Sequence, residues 1–456
     1  MKESAFQGDT IVAVATPPGR GAIGIIRISG PAAVSMAGRI FHGKKDPANM
    51  DNYTFSHGWI VEEGEVIDEA LCLVMRAPSS YTREDTVELH CHGGPASLGR
   101  VLEAVRRQGA RLAAPGEFTR RAFLSGRIDL ARAEAVADLV AGDTEASARA
   151  AVRQLEGGLS CRLERLRSGL VELLALLEAG VDFSDEEDVS PLTKEELLQR
   201  LADADSRLSA LLADAGRGKL LREGASMVIA GRPNVGKSTL MNALLRKERV
   251  ITGPTPGTTR DVVEEALDIG GVPVRMLDTA GINSNAKDIE KLGVDRASTA
   301  LSEADLLIVM TDASNPLSED DRLVAQQVRG PAVLALNKCD LETAVSDEEA
   351  RELLPGAPLV RISALQGTGL PELEEELSKM LATTSTESPL VTNARHEDAL
   401  WRTRQALQRA SESSDQSEEF TASDLRQALE ALGEITGETA TDEVLERIFS
   451  RFCVGK

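Results

Sequence analysis

Met227–Thr239 reads MVIAGRPNVGKST: an apolar run, then Gly231-x-x-x-x-Gly236-Lys237-Ser238, then a helical pattern. Strand, glycine-rich loop and helix in that order are what a phosphate-binding P-loop requires. Glycines let backbone N–H groups wrap phosphate oxygens at a helix N-terminus. Lys237 then reaches the β- and γ-phosphates, and the Ser238 hydroxyl holds Mg2+. Asn234, Val235, Gly236, Lys237, Ser238 and Thr239 form the candidate cradle.

Outward from the loop, residues 225–380 alternate strand and helix patterns, the signature of a parallel sheet. Three further segments follow in order, each at the end of an expected strand. In VRMLDTAG, Asp278, Thr279, Ala280 and Gly281 stand where metal and γ-phosphate are sensed. AVLALNKCD offers Asn337, Lys338 and Asp340; LVRISAL offers Ser363, Ala364 and Leu365. A carboxylate at Asp340 accepts two N–H bonds from a guanine edge, which adenine does not offer, so the expected nucleotide is GTP. Ordinary loop residues would not fall at four strand ends in this order.

GTTRD supplies Thr259 as a second Mg2+ ligand, with turn chemistry the plainer reading of Thr258 and Thr259. Ile282 follows Gly281 where Ras-like enzymes keep a water-orienting glutamine. From Asn234, an amide oxygen can share a monovalent cation with the phosphates, supplying charge where other systems insert an arginine.

Around this α/β unit the pattern changes. Residues up to about 125 mix β-rich runs with helical stretches near 31–41 and 95–108, an α+β domain. Residues 127–222 and 390–450 are helical, so the flanking parts are expected to pack as one domain interrupted by the other. DFSDEEDVSP reads as a capped loop and TTSTESP as a linker. No run approaches the length needed to cross a bilayer and the start lacks a signal-peptide core, which predicts a cytosolic protein. Five scattered cysteines without a CxxC pair argue against disulfides and ribbon-type zinc. A net charge of −22 means that nucleic-acid contact needs a local basic patch or a partner. In TVELHCHGG, Glu88, His90 and His92 share one strand face, too few ligands for a metal site.

The motif order, together with ATPPGRGAIGIIRISG (15–30), APGEFTRRAF (114–123), DLARAEAVADLV (129–140) and the terminal FCVGK, resembles the MnmE (TrmE) family of bacterial tRNA-modification GTPases over the whole chain. The resemblance implies a homodimer with four segments: a formyltetrahydrofolate-binding and dimerisation domain at 1–126, helical parts at 127–223 and 382–456, and an inserted Ras-like G domain at 224–381. It implies an FAD-dependent partner, MnmG (GidA), in a heterotetramer or larger complex, and modification of C5 of the wobble uridine with an aminomethyl or carboxymethylaminomethyl group. K+ would be bound by Asn234, Thr258 and the backbone oxygens of Gly253 and Thr255, with Pro254, Pro256 and Gly257 in the same nucleotide-contacting loop. Glu290 in DIEKLG would orient water as general base.

Arg27, Glu88, Arg127 and Lys456 match folate-binding positions of the family, which often has lysine where Arg127 stands. The helix TDEVLERIFSRF would dock through Val444, Leu445, Ile448 and Phe449 on the helical domain. Gly455 would then bend the tail, bringing Cys453, a candidate nucleophile, and Lys456 beside the folate site. Rival expectations are a regulatory GTPase of ribosome assembly and a metabolic folate enzyme with a vestigial G domain.

Overall fold

The computed structural model describes residues 8–182, 192–213, 215–248, 266–277, 304–381, 389–415 and 417–456. The acidic break at 183–191 and most of the 383–389 linker lie outside them. Two compact units emerge, residues 1–137 with 430–456, and residues 138–429.

The first unit is α+β. Strands β1 (Ile11–Val14), β2 (Ile23–Ser29), β3 (Phe41–Gly43), β4 (Thr54–Glu62), β5 (Glu65–Met75), β6 (Thr86–His92) and β7 (Arg111–Leu112) form one sheet in the order β3-β4-β5-β6-β2-β1-β7. Only β1 and β7 run parallel. Helices α1 (Ala33–Ile40) and α2 (Pro95–Arg107) cover one face. Alternation explains the layering: Val87, Leu89 and Cys91 of β6 are buried under the helices, whereas Glu88, His90 and His92 point the other way. Helix α3 (Glu117–Leu124) begins at Gly116, whose φ of +64° suits glycine, and is followed by α4 (Leu130–Ala141).

The start of α3 carries a buried ion network. Arg111 and Arg121 both reach Glu117, at 2.6 and 3.0 Å, and both also reach Asp9 at 2.7 Å. Burial opposes ionisation of Glu117, but Arg111, the Ala114 N–H and Arg121 outweigh it and hold the carboxyl below its usual range. Buried Glu117 and Arg121, each with several charged partners, tie the helix start to Asp9 and Arg111.

The second unit begins with helices α5 (Glu145–Leu155), α6 (Gly158–Asp182), α7 (Lys194–Leu212) and α8 (Ala215–Glu223). In α6 the residues Leu159, Leu163, Leu166, Leu170, Leu173 and Leu177 recur every three or four positions and are all buried. Helix α7 repeats the pattern with Leu197, Leu201, Ala204, Leu208 and Leu211, and starts in a capping box at Thr193 and Glu196. Truncating one of these buried leucines to alanine costs about 2–5 kcal/mol.

An α/β layer follows: β8 (Ala225–Ala230), α9 (Lys237–Glu248), β9 (Ala266–Ile269), β10 (Val272–Leu277), β11 (Leu306–Asp312), α10 (Glu319–Gln327), β12 (Ala332–Asn337), α11 (Asp347–Leu353), β13 (Leu359–Arg361) and α12 (Leu370–Leu381). The sheet order is β13-β12-β11-β8-β10-β9, parallel except for the β9–β10 hairpin. Strands β11 and β12 are buried along their whole length, as strands covered on both faces must be. Helix α13 (Ala394–Ser413) returns to pack along α7, where Arg404 meets Asp205 at 2.8 Å. Thus helices from both sides of the α/β layer pack together.

Helices α14 (Glu418–Thr436) and α15 (Asp442–Phe449) end the chain. In the first unit, Leu445 and Phe449 of α15 are buried with Leu130 and Ala133 of α4, and the half-buried Ile448 joins them. Val444 is outside that cluster. No helix among the described residues is long and apolar enough to cross a membrane.

Candidate functional site

The P-loop leaves β8 at Gly231, where a Cβ would come within 2.4 Å of the Met310 carbonyl, so the loop lies against β11. Asn234 takes φ +66°, a left-handed conformation that asparagine tolerates better than most residues. Its side chain is exposed with no hydrogen bond among the described residues. Val235 is fully buried. Gly236 has φ +104°, and a Cβ there would sit 2.4 Å from Asn337 Nδ2. Lys237 donates to the carbonyls of Gly231 at 2.7 Å and Arg232 at 3.0 Å, and burial lowers its pKa. Ser238 and Thr239 are exposed in the first turn of α9.

Asn337 is the joint of the site. Only 3% exposed, it donates from Nδ2 to Val235 O at 2.7 Å and accepts the Ala364 N–H on Oδ1 at 2.9 Å. The P-loop and the two segments expected to read the base therefore meet on one side chain. Lys338, at φ +67°, donates to Asp312 at 2.6 Å. Burial opposes charge on Asp312, yet Lys338, Ser314 and Asn315 outweigh it and hold its pKa at about 2. Ionised Asp312 thus holds Lys338 in place at neutral pH.

Asp340 is exposed, and Leu365, 82% exposed, lies on the segment that begins at buried Ser363. The Ser363 backbone pairs with Thr368, and its Oγ accepts the Gln366 N–H at 3.2 Å, which closes that loop. Gly253, Pro254, Thr255, Pro256, Gly257, Thr258, Thr259, Asp278, Thr279, Ala280, Gly281 and Glu290 lie outside the described residues.

The first unit joins Arg27, Glu88 and the tail backbone, while among the described residues neither Arg127 nor the Lys456 side chain forms a hydrogen bond or ion pair with them. Arg27 Nε donates to Glu88 Oε1 at 2.8 Å, and the second carboxylate oxygen meets His90 Nε2 at 3.1 Å. Arg27 also donates to the Gly455 carbonyl at 3.0 Å and lies 5.7 Å from the centre of the Phe118 ring. Arg127 stacks on Tyr81 at 4.7 Å and donates to its carbonyl. Burial raises the Tyr81 phenol's pKa, while the nearby charges of Arg127 and Arg27 pull it down. The tail is docked: the Cys453 and Lys456 carbonyls accept from the N–H groups of Gly116 at 3.4 Å and Phe118 at 3.2 Å. Gly455 has φ +96°, and a Cβ there would lie 2.4 Å from the Val14 carbonyl. The Cys453 side chain remains exposed. His92 pairs instead with Asp68 at 2.6 Å, which raises its pKa.

Asp312 and Tyr81 carry no motif; Phe118 lies within APGEFTRRAF and His90 within TVELHCHGG, where neither stood out as a neighbour of Arg27 or Glu88. For Asp312 a signal did exist, an acidic residue at the end of a parallel strand, where ligand-facing residues gather.

The chain compares as the geometry suggests. The family described as the MnmE helical domain matches residues 130–453, and the family described as the GTP-binding protein TrmE N-terminus matches residues 10–127. The tRNA modification GTPase MnmE of Symbiobacterium thermophilum is 46% identical over 455 residues, covering 98% of this chain and 99% of that protein. Those of Natranaerobius thermophilus and Bacillus velezensis are 42% and 41% identical, covering 98% of this chain and 99% and 100% of theirs. With both family matches and this identity over nearly its whole length, the chain belongs to the MnmE family of tRNA modification GTPases.

Proposed function

We propose that the chain hydrolyses GTP to drive a tRNA-modifying complex that places an aminomethyl or carboxymethylaminomethyl group on C5 of the wobble uridine of certain tRNAs. The observation that carries the specific part of this reading is the docked tail, with Arg27 joining Glu88 to the Gly455 carbonyl. A GTPase that acts only as a switch has no use for a terminal Cys-Val-Gly-Lys held by an arginine that is itself paired with a carboxylate.

Residues 224–381 form the G domain, 127–223 with 382–456 the helical domain, and 1–126 the folate-binding and dimerisation domain. The protein works as a homodimer with the FAD-dependent MnmG. Lys237 steadies the β- and γ-phosphates, Asp340 reads guanine, and Glu290 orients water. The exposed Ser238 hydroxyl fits a hard cation, so Ser238 with Thr259 holds Mg2+, which neutralises phosphate charge when bound. The exposed amide of Asn234, with Thr258 and the carbonyls of Gly253 and Thr255, holds K+, which supplies the charge of an arginine finger. Glu88, with the cations Arg27, Arg127 and Lys456, fits a pterin N–H edge and an anionic tail, and 5-formyltetrahydrofolate or a related folate would supply the one-carbon unit.

Wobble-uridine nucleosides from a deletion strain, measured by mass spectrometry, test the reading: the C5-modified forms should vanish, and an unchanged profile would sink it. For the cation, GTP hydrolysis should fall at least about tenfold when Na+ replaces K+, within the range such charge stabilisation spans. Asn234→Ala should erase the difference; equal rates of the parent in both salts would refute the K+ role.

A further inference from the structure

We propose that the groove between α6 and α7 holds the phosphate backbone of the tRNA, an inference that rests on the tRNA-modification reading and deepens it. The leucine seams of the two helices leave a cleft of ≈ 160 Å³, with Leu166, Leu170 and Leu173 as its floor and Arg165, Arg200 and Arg207 around it. Gly169 also lines the cleft, and a Cβ there would meet nothing within 4 Å, so the groove is open down to the backbone of α6.

The charge of this groove runs against that of the chain. With a net charge of −22, carboxylates are in excess, and several arginines elsewhere in the unit find them, as Arg222 does with Asp138 and Arg404 with Asp205, both at 2.8 Å. Arg165 and Arg207 have no ion pair or hydrogen bond among the described residues. Arg200 touches Glu172 at 3.3 Å, with both side chains well exposed, a pairing that an incoming phosphate displaces at little cost. Asp203, the one carboxylate lining the groove, already accepts from Gln199 at 3.0 Å.

Spacing identifies the anion. Arg200 and Arg207 are seven positions apart on α7, two helical turns or about 10 Å along the axis, and Arg165 faces them from α6. One phosphate cannot serve all three; a chain of phosphates can. Guanidinium forks suit phosphate oxygens, and contacts of this kind position a nucleic acid without reading its sequence. The groove therefore grips the body of the tRNA whatever its sequence.

Anisotropy of a labelled, unmodified tRNA transcript with the full-length protein, over a KCl series, tests this. Gly169→Glu puts a carboxylate among the arginines at an open, exposed helix position, and Arg165→Ala/Arg207→Ala removes two contacts; circular dichroism and melting confirm that both variants fold. Each should bind tRNA at least about tenfold more weakly at low salt, and the double variant should lower the slope of log affinity against log salt by about two. Wild-type affinity and slope in both variants would overturn the groove, including the case in which an acidic protein is its occupant, and would leave the modification reading standing. No binding by the wild type would overturn it as well. The deletion strain's wobble nucleosides then decide whether the tRNA reading falls with it.

Discussion

Gly455→Ala leaves GTP hydrolysis within about twofold of the parent and cuts wobble-uridine modification at least about tenfold. The reason is local and steric. At φ +96° an L side chain is strained, and its Cβ would stand 2.4 Å from the Val14 carbonyl and 2.9 Å from Ala15 Cα, backbone atoms of β1 and its end that have nowhere to go. Strain of this kind costs about 1–3 kcal/mol before the contacts are counted. The tail must leave, and with it go the bonds from Arg27, Gly116 and Phe118. Removing Cys453–Lys456 should give the same result. Cys453→Ser separates position from chemistry, because it keeps the docked backbone and loses only the thiol. Purified-enzyme GTPase assays beside nucleoside mass spectrometry make the measurement. Full modification by Gly455→Ala would mean that docking is irrelevant; loss of GTPase activity too would make the tail a support of the fold.

Asn337→Ala is expected to weaken GTP binding by about a hundredfold or more. Its amide satisfies the Val235 carbonyl and the Ala364 N–H inside the protein, and each buried group left without a partner costs about 1–3 kcal/mol. At about 1.4 kcal/mol per factor of ten, two such losses reach that range. Gly236→Ala should act on the same joint from the other side, since its new Cβ would press on Asn337 Nδ2. The double variant should therefore bind little worse than either single one. Titration with a fluorescent guanine nucleotide checks both; near-parent affinity for Asn337→Ala would remove Asn337 from this role.

The legibility of the two sites differs for a physical reason. The P-loop and the base-reading segments are stretches of a few residues whose backbone shape demands particular side chains, such as glycine at φ +104° or asparagine at φ +66°, so sequence order alone exposes them. Strand β12 was equally legible, as the apolar run AVLALN ending in a polar residue. The Arg27 cluster is different: its bond to Gly455 spans 428 positions, and no periodicity links those residues. Read singly, Arg27 and Glu88 are ordinary surface charges, and only the family resemblance singled them out. Helix α3 escaped notice because it starts from a glycine with φ +64° and has no side-chain cap. What pairs its polar start is an ion network in which Arg111 and Arg121 are near neighbours of Glu117 and Asp9 comes from more than 100 positions away.

The unit that carries the Arg27 cluster takes residues from both sides of the other unit, up to Ala137 and again from Glu430. At roughly 5–20 residues per second, a ribosome needs about 15–60 s between emitting these two parts. Throughout that interval Leu130 and Ala133 lack the cover of Leu445 and Phe449. Each nascent chain must therefore wait with an unfinished apolar surface, while the nucleotide-binding layer, made entirely from the intervening stretch, can already fold. A message cut short before codon 430 would yield a protein able to take up nucleotide and, although the sheet core of its first unit comes from residues 12–110, left without the late helix over Leu130 and Ala133 and without the tail beside Arg27.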